Sequence, residues 1–331
     1  MPQENVSYIL AEHPEGDIIP GKTLQRKVTP APTAEELKDG QILVEALYLS
    51  LDPAMRIYMN GSIMRGTTAC RVLASKSSQA SQGDLVSGQT GWTSYAILDE
   101  DKFVPASQFY GLQRPQSMLS VAGMTGMTAW VGMNKIADPK PGELVVVSAA
   151  AGATGSIAGQ IAKIKGARVI GIAGGEEKCR WLTDELGFDL SLDYKAKDFK
   201  ERFLEATKDK IDVYFDNVGG DMLEMCLDQA NTHARFVECG HISQYNQVEP
   251  KGPRNMFRIV GLRIRMQGFI IFDHLDEFPA ARKELSQWVS QGSLKYAETV
   301  IPGGIDAAEG ALVSLFKGSN KGKMLVELKK P

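Results

Sequence analysis

The sequence predicts an α/β protein in which a β-rich first domain is followed by a doubly wound parallel sheet. From residue 144 onward, continuous apolar strands alternate with helical segments, a pattern typical of a parallel sheet covered on both faces. Before about residue 120, short strand-like stretches are separated by loops rich in Ser and Gly. The length of 331 residues fits two domains better than one.

The individual elements follow from periodicity and from the turn residues between them. In the first domain, residues 41–52 predict a strand, residues 83–98 predict two strands joined by a turn, and 117–137 an apolar helix ended by a Pro- and Gly-containing segment. The second domain repeats strand and helix, with predicted strands at 144–150, 167–173, 190–194, 211–219 and 234–240 and helices at 154–166, 176–187, 196–209 and 221–231. A helix over 274–292 and a strand over 321–329 complete the chain.

The composition is that of a soluble globular protein, with 43% hydrophobic and 23% charged residues and a net charge of −3. No cluster of Lys or Arg offers a basic field to nucleic acid or anionic lipid, so neither is expected as a partner. No apolar run approaches the ~18–20 residues that span a bilayer. Residues 1–16 lack the pattern of a secretory signal. We therefore expect a cytoplasmic protein.

The turn between the first parallel strand and its helix is built from very small residues. This stretch, 148–156, reads SAAAGATGS, and here Gly152 and Gly155 take the second and third glycine positions of the dinucleotide fingerprint, with Ala150 in the first. Side chains would obstruct a pyrophosphate at the helix N-terminus, where amide donors are needed instead. Gly159 would let the helix pack closely. The alternative is a tight turn made only for packing.

The end of the second strand favours NADP(H) over NAD(H). NAD-selective sites usually place an acid there, whereas residues 172–175 read IAGG and leave room for a 2′-phosphate. Lys178 and Arg180 could neutralise that phosphate. Glu176 and Glu177 oppose this interpretation, but carboxylates in the first turn of a helix also stabilise the helix.

Common alcohol-oxidising sites are absent from the sequence. None of the nine tyrosines has a lysine four residues later, and Cys70 and His13 are the only cysteine and histidine of the first domain. Cys239 and His241 form the nearest approach to a metal pair, too few ligands for a zinc site, so no metal is expected. Reduction of a polarised C=C bond requires less: a hydride to the β-carbon and a donor for the enolate oxygen.

Six ordered motifs resemble those of the zinc-independent medium-chain dehydrogenases/reductases, in the leukotriene B4 12-hydroxydehydrogenase, prostaglandin reductase and alkenal double-bond reductase group. These motifs are 47–56, 123–132, 148–166, 215–220, 239–246 and 318–328. The resemblance implies a GroES-like catalytic domain over 1–120 and 287–331 and a Rossmann domain over 121–286. It also implies NADPH as the cofactor.

The resemblance further implies which residues contact the cofactor. The pyrophosphate would be lined by Gly152, Ala153, Thr154 and Gly155. The 2′-phosphate and adenosine ribose would be held by Gly174, Lys178 and Tyr194. The ribose–nicotinamide end would be bordered by Asn217, Cys239, Ile242, Phe269 and Asn320, with Met124 and Thr128 on the other side.

Tyr245 is the predicted enolate-stabilising residue, and a core tyrosine bonded to the backbone is the alternative. Tyr58 and Tyr95 are candidates for the wall of the substrate cleft, although ordinary packing accounts for either equally well. Arg56 could meet an acidic substrate tail or could bind a loop carbonyl.

Together these features predict NADPH-dependent reduction of the C=C bond of α,β-unsaturated ketones or aldehydes, with Tyr245 and the ribose 2′-hydroxyl stabilising the enolate. Two alternatives are an NADPH-dependent quinone reductase and a non-catalytic NADPH-binding protein. A homodimer is the habit of the family, and the strand-forming stretch 262–272 offers an edge for pairing.

Overall fold

The computed structural model describes residues 3–59, 61–112 and 114–330. They form two compact units by contact, Met1–Gly123 with Glu298–Pro331 (the first unit) and Met124–Ala297 (the second unit). The first unit has a mixed sheet and the second a parallel sheet, so the predicted α/β class is confirmed. No helix in the described part of the chain is both long and apolar enough to cross a membrane.

Strands and helices are numbered along the chain. The strands are β1 Glu4–Leu10, β2 Leu24–Pro30, β3 Gln41–Ser50, β4 Thr68–Ser75, β5 Leu85–Gly88, β6 Tyr95–Asp99, β7 Phe103–Pro105, β8 Leu144–Val147, β9 Arg168–Ala173, β10 Leu190–Asp193, β11 Ile211–Asp216, β12 Ala230–Glu238, β13 Arg265–Gly268, β14 Glu298–Ile301 and β15 Lys323–Glu327. The α-helices are α1 Pro115–Leu119, α2 Met124–Val131, α3 Ala153–Ile164, α4 Glu176–Arg180, α5 Phe199–Ala206, α6 Gly220–Asp228, α7 Phe257–Leu262, α8 Phe278–Ser290 and α9 Ala308–Phe316. Wider π-helical turns extend α2 over Gly132–Ala137 and α4 over Trp181–Glu185.

In the first unit, the sheet has the order β14-β15-β3-β4-β5-β7, with β6 also paired to β3 and a separate β1–β2 hairpin. The pairs are antiparallel except β14–β15. Strand β3 is buried along nearly its whole length, because Ile42 and Val44 pack in one apolar cluster and Leu49 in another. This explains why its sequence shows only partial alternation.

In the second unit, six parallel strands have the order β10-β9-β8-β11-β12-β13. This is the doubly wound Rossmann order, in which the chain starts at the centre and builds outward in both directions. Strand β8 is completely buried, as its run of leucine and valines predicts. The order reverses between β8 and β11, and ligands of such sheets bind outside the carboxyl ends of the strands at that point.

The helix predicted over 117–137 is in fact two helices. Helix α1 ends at Leu119, and α2 begins at Met124. A Cβ atom at Gly123 would lie 2.7 Å from the Met118 carbonyl oxygen, so only glycine fits the tight bend between the helices. The apolar periodicity continues across this bend because both sides are buried, and periodicity alone therefore missed it. The first unit ends at the same bend.

The chain returns to the first unit at Glu298 rather than at residue 287, where the sequence placed the return. Residue 287 lies inside α8, which runs to Ser290. Ala281 and Leu285 on this helix are fully buried, and its Glu284 accepts a hydrogen bond from the Trp130 indole of α2. These contacts keep the whole helix with the second unit.

Candidate cofactor and active site

The glycine-rich turn lies where β8 meets α3, at the point where the strand order reverses. Helix α3 begins at Ala153, directly after Gly152, and its 12 residues present backbone N–H groups at the N-terminus. A Cβ atom at Gly155 would lie 2.5 Å from the Ala149 carbonyl oxygen and 2.9 Å from the Ala150 Cα. The turn is therefore too tight for any side chain at Gly155, and Gly152 to Thr154, where α3 begins, are half-buried. Amide groups at a helix N-terminus are the donors that a pyrophosphate requires.

Asn217 is fastened to this turn from the neighbouring strand β11. Its backbone N–H donates to the Ser148 hydroxyl at 2.9 Å, and its side-chain amide donates to the Ser148 carbonyl oxygen at 2.7 Å. The Ile242 N–H in turn donates to the Asn217 carbonyl oxygen at 3.1 Å. Three stretches that are distant in sequence, and which sequence analysis assigned to one cofactor, thus meet at the carboxyl ends of β8, β11 and β12.

Asp216 organises this junction, and sequence analysis did not identify it. Its side chain is completely buried, and its Oδ1 atom accepts hydrogen bonds from the hydroxyls of Ser148 at 3.0 Å and Tyr214 at 2.7 Å. The same atom accepts the N–H groups of Val218 at 2.8 Å and Gly219 at 3.0 Å. The available signal was an acid at the end of a buried strand, where an unpaired charge would be costly.

The predicted 2′-phosphate residues also meet, at the ends of β9 and β10. A Cβ atom at Gly174 would lie 2.8 Å from the ring of Tyr194 and 3.0 Å from Cε of Lys195. Lys178 is half-buried, and burial followed by the positive charge of Lys195 lowers its pKa. Lys195 was not predicted as a site residue. It directly follows the strand predicted over 190–194, where a lysine looks like an ordinary surface residue.

The predicted enolate donor, Tyr245, lines a cavity of about 530 Å³ in the second unit. Its hydroxyl oxygen accepts the backbone N–H of His241 at 3.1 Å. The cavity is also lined by Cys239 and Phe269, two residues predicted at the nicotinamide end. Tyr245 is thus half-buried rather than a core residue, its hydroxyl is bonded to backbone, and its role toward an enolate stays a prediction.

Met124 and Thr128 lie one turn apart on α2, and the Thr128 hydroxyl donates to the Met124 carbonyl oxygen at 2.8 Å. The helix continues to Gly132, where an added Cβ atom would lie 3.3 Å from the ring of Phe269. Phe269, which also lines the cavity that contains Tyr245, thus lies near the junction between α2 and the π-helical turn that follows it. Both predicted α2 residues are half-buried.

Glu238 and His241 form an unpredicted pair in the same cavity. Their Oε2 and Nε2 atoms are 2.9 Å apart, and this hydrogen bond raises the pKa of the His241 imidazole. Burial raises the pKa of the Glu238 carboxyl. The two groups therefore form a hydrogen-bonded pair that becomes an ion pair when the imidazole is protonated and the carboxyl ionised.

The predicted absence of a metal stays a prediction. Across residues 3–59, 61–112 and 114–330, the one group of three possible ligands is Asp216, Glu238 and His241. Glu238 and His241 bond to each other and Asp216 Oδ1 accepts four donors, whereas Asp216 Oδ2 and Glu238 Oε1 are buried without a hydrogen-bond partner among those residues. Burial raises the pKa of the adjacent Cys239 thiol to about 12.

The predicted residues of the first unit are each engaged locally or exposed. The Arg56 guanidinium donates to the carbonyl oxygens of Pro14 at 2.7 Å and Gly16 at 3.2 Å. Tyr95 is buried and donates its hydroxyl to Glu45 at 2.9 Å, whereas the Tyr58 ring is 42% exposed. Asn320 is buried, and its amide donates to the Gly322 carbonyl oxygen at 2.7 Å. Their roles toward substrate and cofactor stay predictions.

Two family models match the chain, one described as an N-terminal domain of oxidoreductase over residues 7–106 and one as a zinc-binding dehydrogenase over residues 153–287. Fold and matches together define a medium-chain oxidoreductase. The NADPH-dependent curcumin reductase of Escherichia coli K12 is 39% identical over 343 residues, covering 98% of this chain and 97% of that protein. Prostaglandin reductase 1 of Bos taurus is 40% identical, covering 88% and 90%.

Among solved structures, CurA from Vibrio vulnificus in complex with NADPH superposes with a TM-score of 0.90 at 38% identity, covering 98% of this chain and all of that one. The chain therefore belongs to the zinc-independent medium-chain dehydrogenase/reductase family, in the group that contains the prostaglandin and alkenal reductases. The resemblance stated from the sequence motifs is confirmed.

Proposed function

We propose that the protein is an NADPH-dependent oxidoreductase that reduces the C=C bond of α,β-unsaturated ketones or aldehydes. The observation that carries this proposal is the meeting of three features along one edge of the parallel sheet. They are the phosphate turn at Gly155, the basic pocket at Lys178 and the Tyr245 hydroxyl in an open cavity. The names of the relatives, which are reductases of curcumin and prostaglandins, support the same chemistry.

The residues of the second unit fit the three parts of the cofactor. The turn from Gly152 to Gly155 would bind the pyrophosphate through backbone N–H groups. Gly174, Lys178 and Tyr194 would hold the 2′-phosphate and its ribose. The nicotinamide end would be bordered by Met124, Thr128, Asn217, Cys239, Ile242 and Phe269.

Bound NADPH supplies the hydride that the β-carbon of the substrate accepts. Negative charge then develops on the carbonyl oxygen, and a hydrogen-bond donor fixed in advance stabilises it. A tyrosine hydroxyl offers one proton and two acceptor positions. The His241 N–H occupies an acceptor position of the Tyr245 hydroxyl, and a bond accepted there strengthens donation by the same hydroxyl. In the proposed reaction that donation is to the enolate oxygen.

The test is the rate of NADPH oxidation with enones, enals, quinones and simple ketones assayed in parallel. Enone and enal turnover with loss of the C=C bond in the product would support the proposal. Turnover of 1,4-benzoquinone alone would establish the quinone reductase alternative. Tight NADPH binding without turnover of any acceptor would establish the non-catalytic alternative.

We also propose a cytoplasmic homodimer. The four cysteines are unpaired, as is usual in a reducing compartment. Strand β13 is at the edge of its sheet, and exposed apolar side chains lie beside it, including Val260 at 80% and Phe272 at 54% exposure. Light scattering of the wild type and Val260→Glu tests the dimer, which the substitution should weaken; a wild-type monomer would contradict it.

A further inference from the structure

Two lysines converge at the end of β9, although sequence analysis singled out only one of them. Lys178 is half-buried, and after burial the positive charge of Lys195 is the largest influence that lowers its pKa. The Lys195 side chain lies beside Gly174, with Cε 3.0 Å from the position of a Cβ atom on Gly174. Two neighbouring positive charges oppose each other, and an anion bound between them relieves that repulsion.

The loop that presents Lys195 is fixed by Asp193. One carboxylate oxygen of Asp193 accepts the backbone N–H groups of Gly175 and Lys195, each at 2.9 Å. These bonds to backbone hold the two strand ends together and fix the position of the Lys195 backbone. The backbone N–H groups of Gly175 and Lys195 and the charge of Lys195 lower the pKa of the Asp193 carboxyl, which favours its anionic form.

The Lys195 ammonium lies 5.8 Å from the ring centre of Tyr194. Glu177 raises the pKa of Lys178, but its effect is smaller than the opposing effect of Lys195. Two ammonium groups and one aromatic ring therefore lie near Gly174, beside the carboxylates of Glu177 and Asp193. A phosphate monoester, which is largely a dianion at neutral pH, is a ligand that two ammonium groups can bind together.

We propose that Lys195 is a second cationic ligand of the 2′-phosphate and that it determines, with Lys178, the preference for NADPH over NADH. This inference rests on the proposed cofactor site. In the proposed site Lys178 and Lys195 both bind the phosphate next to Gly174, and Tyr194 packs beside the ribose. A charge-assisted hydrogen bond from a second lysine adds about a tenfold preference for the phosphorylated ligand.

The test measures dissociation constants for NADPH and NADH, and for 2′,5′-ADP and 5′-AMP, which lack the nicotinamide. The variants are Lys195→Gln, Lys178→Gln and, as the matched control, Lys197→Gln, which removes the same charge from an exposed position two residues away. Lys195→Gln should weaken NADPH and 2′,5′-ADP about tenfold and leave NADH and 5′-AMP within about twofold. Lys197→Gln should change no ratio, and Lys195→Arg should retain the preference.

A second readout separates a ligand from a merely structural lysine. In wild type the NADPH preference should decline as pH rises through the lowered pKa of Lys178. Removal of the Lys195 charge should raise the pKa of Lys178, because that charge lowers it in the wild type. In Lys195→Gln the remaining preference for NADPH should therefore persist to higher pH. An unshifted pH profile would overturn the inference.

Equal weakening of the phosphorylated and unphosphorylated ligands by Lys195→Gln would also overturn it, as would an equal effect of Lys197→Gln. If Lys178→Gln alone changes the ratio, the inference fails while the proposed site stands. If neither lysine affects the ratio, the proposed 2′-phosphate site is itself wrong. The melting temperature without ligand verifies that each variant is folded.

Discussion

Replacing Tyr245 with Phe removes one hydroxyl from the cavity that Cys239 and Phe269 also line, and kcat should fall about 10²-fold. A single donor to a developing oxyanion contributes ~2.7–4 kcal/mol. The proposed site has a second donor in the ribose 2′-hydroxyl, so the expected loss lies nearer the lower end, about 2–3 kcal/mol. The NADPH dissociation constant should change little, because the ring remains.

The same substitution also has a cost for the fold. It removes the oxygen that accepts the His241 N–H at 3.1 Å. His241 is half-buried, so water can replace part of the lost bond, and the free energy of unfolding should fall by about 1 kcal/mol. A loss of this size leaves the variant folded and its kinetics interpretable.

Single-turnover oxidation of bound NADPH by one enone gives the rate of hydride transfer, and fluorescence titration gives the NADPH affinity. Tyr110→Phe, at an exposed tyrosine of the first unit, is the control and should behave as wild type. An unchanged hydride-transfer rate in Tyr245→Phe would refute the assignment. A slower turnover that saturating NADPH restores would make Tyr245 a cofactor-binding residue instead.

Three further outcomes are expected. Gly155→Ala should raise the NADPH dissociation constant at least about tenfold, because its Cβ would lie 2.5 Å from a backbone oxygen; an unchanged constant in titration would contradict the turn geometry. Prolonged dialysis against EDTA should leave enone reductase activity intact, and zinc-restored activity would disprove the metal-free site. His241 has a raised pKa in the folded state, so its stabilising effect is complete below about pH 6.5 and is lost as pH rises through the raised value. Urea unfolding should therefore show a larger deficit for His241→Gln at about pH 6 than at about pH 9, and equal deficits would exclude the ion pair.

The parallel sheet and its phosphate turn could be predicted because their signals are local. Four buried residues at 144–147 followed by a side-chain-poor turn specify strand, turn and helix without knowledge of any distant contact. Gly174 and Lys178 could be proposed for the same reason, since both lie within a few residues of the end of β9, and their cofactor role stays a prediction. Such positions are fixed by the strand that precedes them.

The residues that were missed depend on contacts between distant parts of the chain. Asp216 accepts a hydrogen bond from Ser148, which is 68 positions away in the sequence. The residues around either position give no sequence signal of this contact. Lys195 becomes a candidate site residue only when β10 is paired with β9, because this pairing brings its side chain next to Gly174. The bend at Gly123 was hidden by an apolar pattern that continues on both sides of it.

The buried carboxylate of Asp216 and the carboxylate of Asp193 stabilise two different parts of the second unit. Asp216 accepts a hydrogen bond from the Ser148 hydroxyl, which itself accepts the Asn217 N–H. Asp193 accepts the backbone N–H of Lys195 and so fixes the loop that carries this lysine. The proposed 2′-phosphate site therefore has its own backbone contacts, separate from those that hold Asn217. Under that proposal, substitutions at positions 178 and 195 would change the coenzyme preference without altering the contacts at Tyr245.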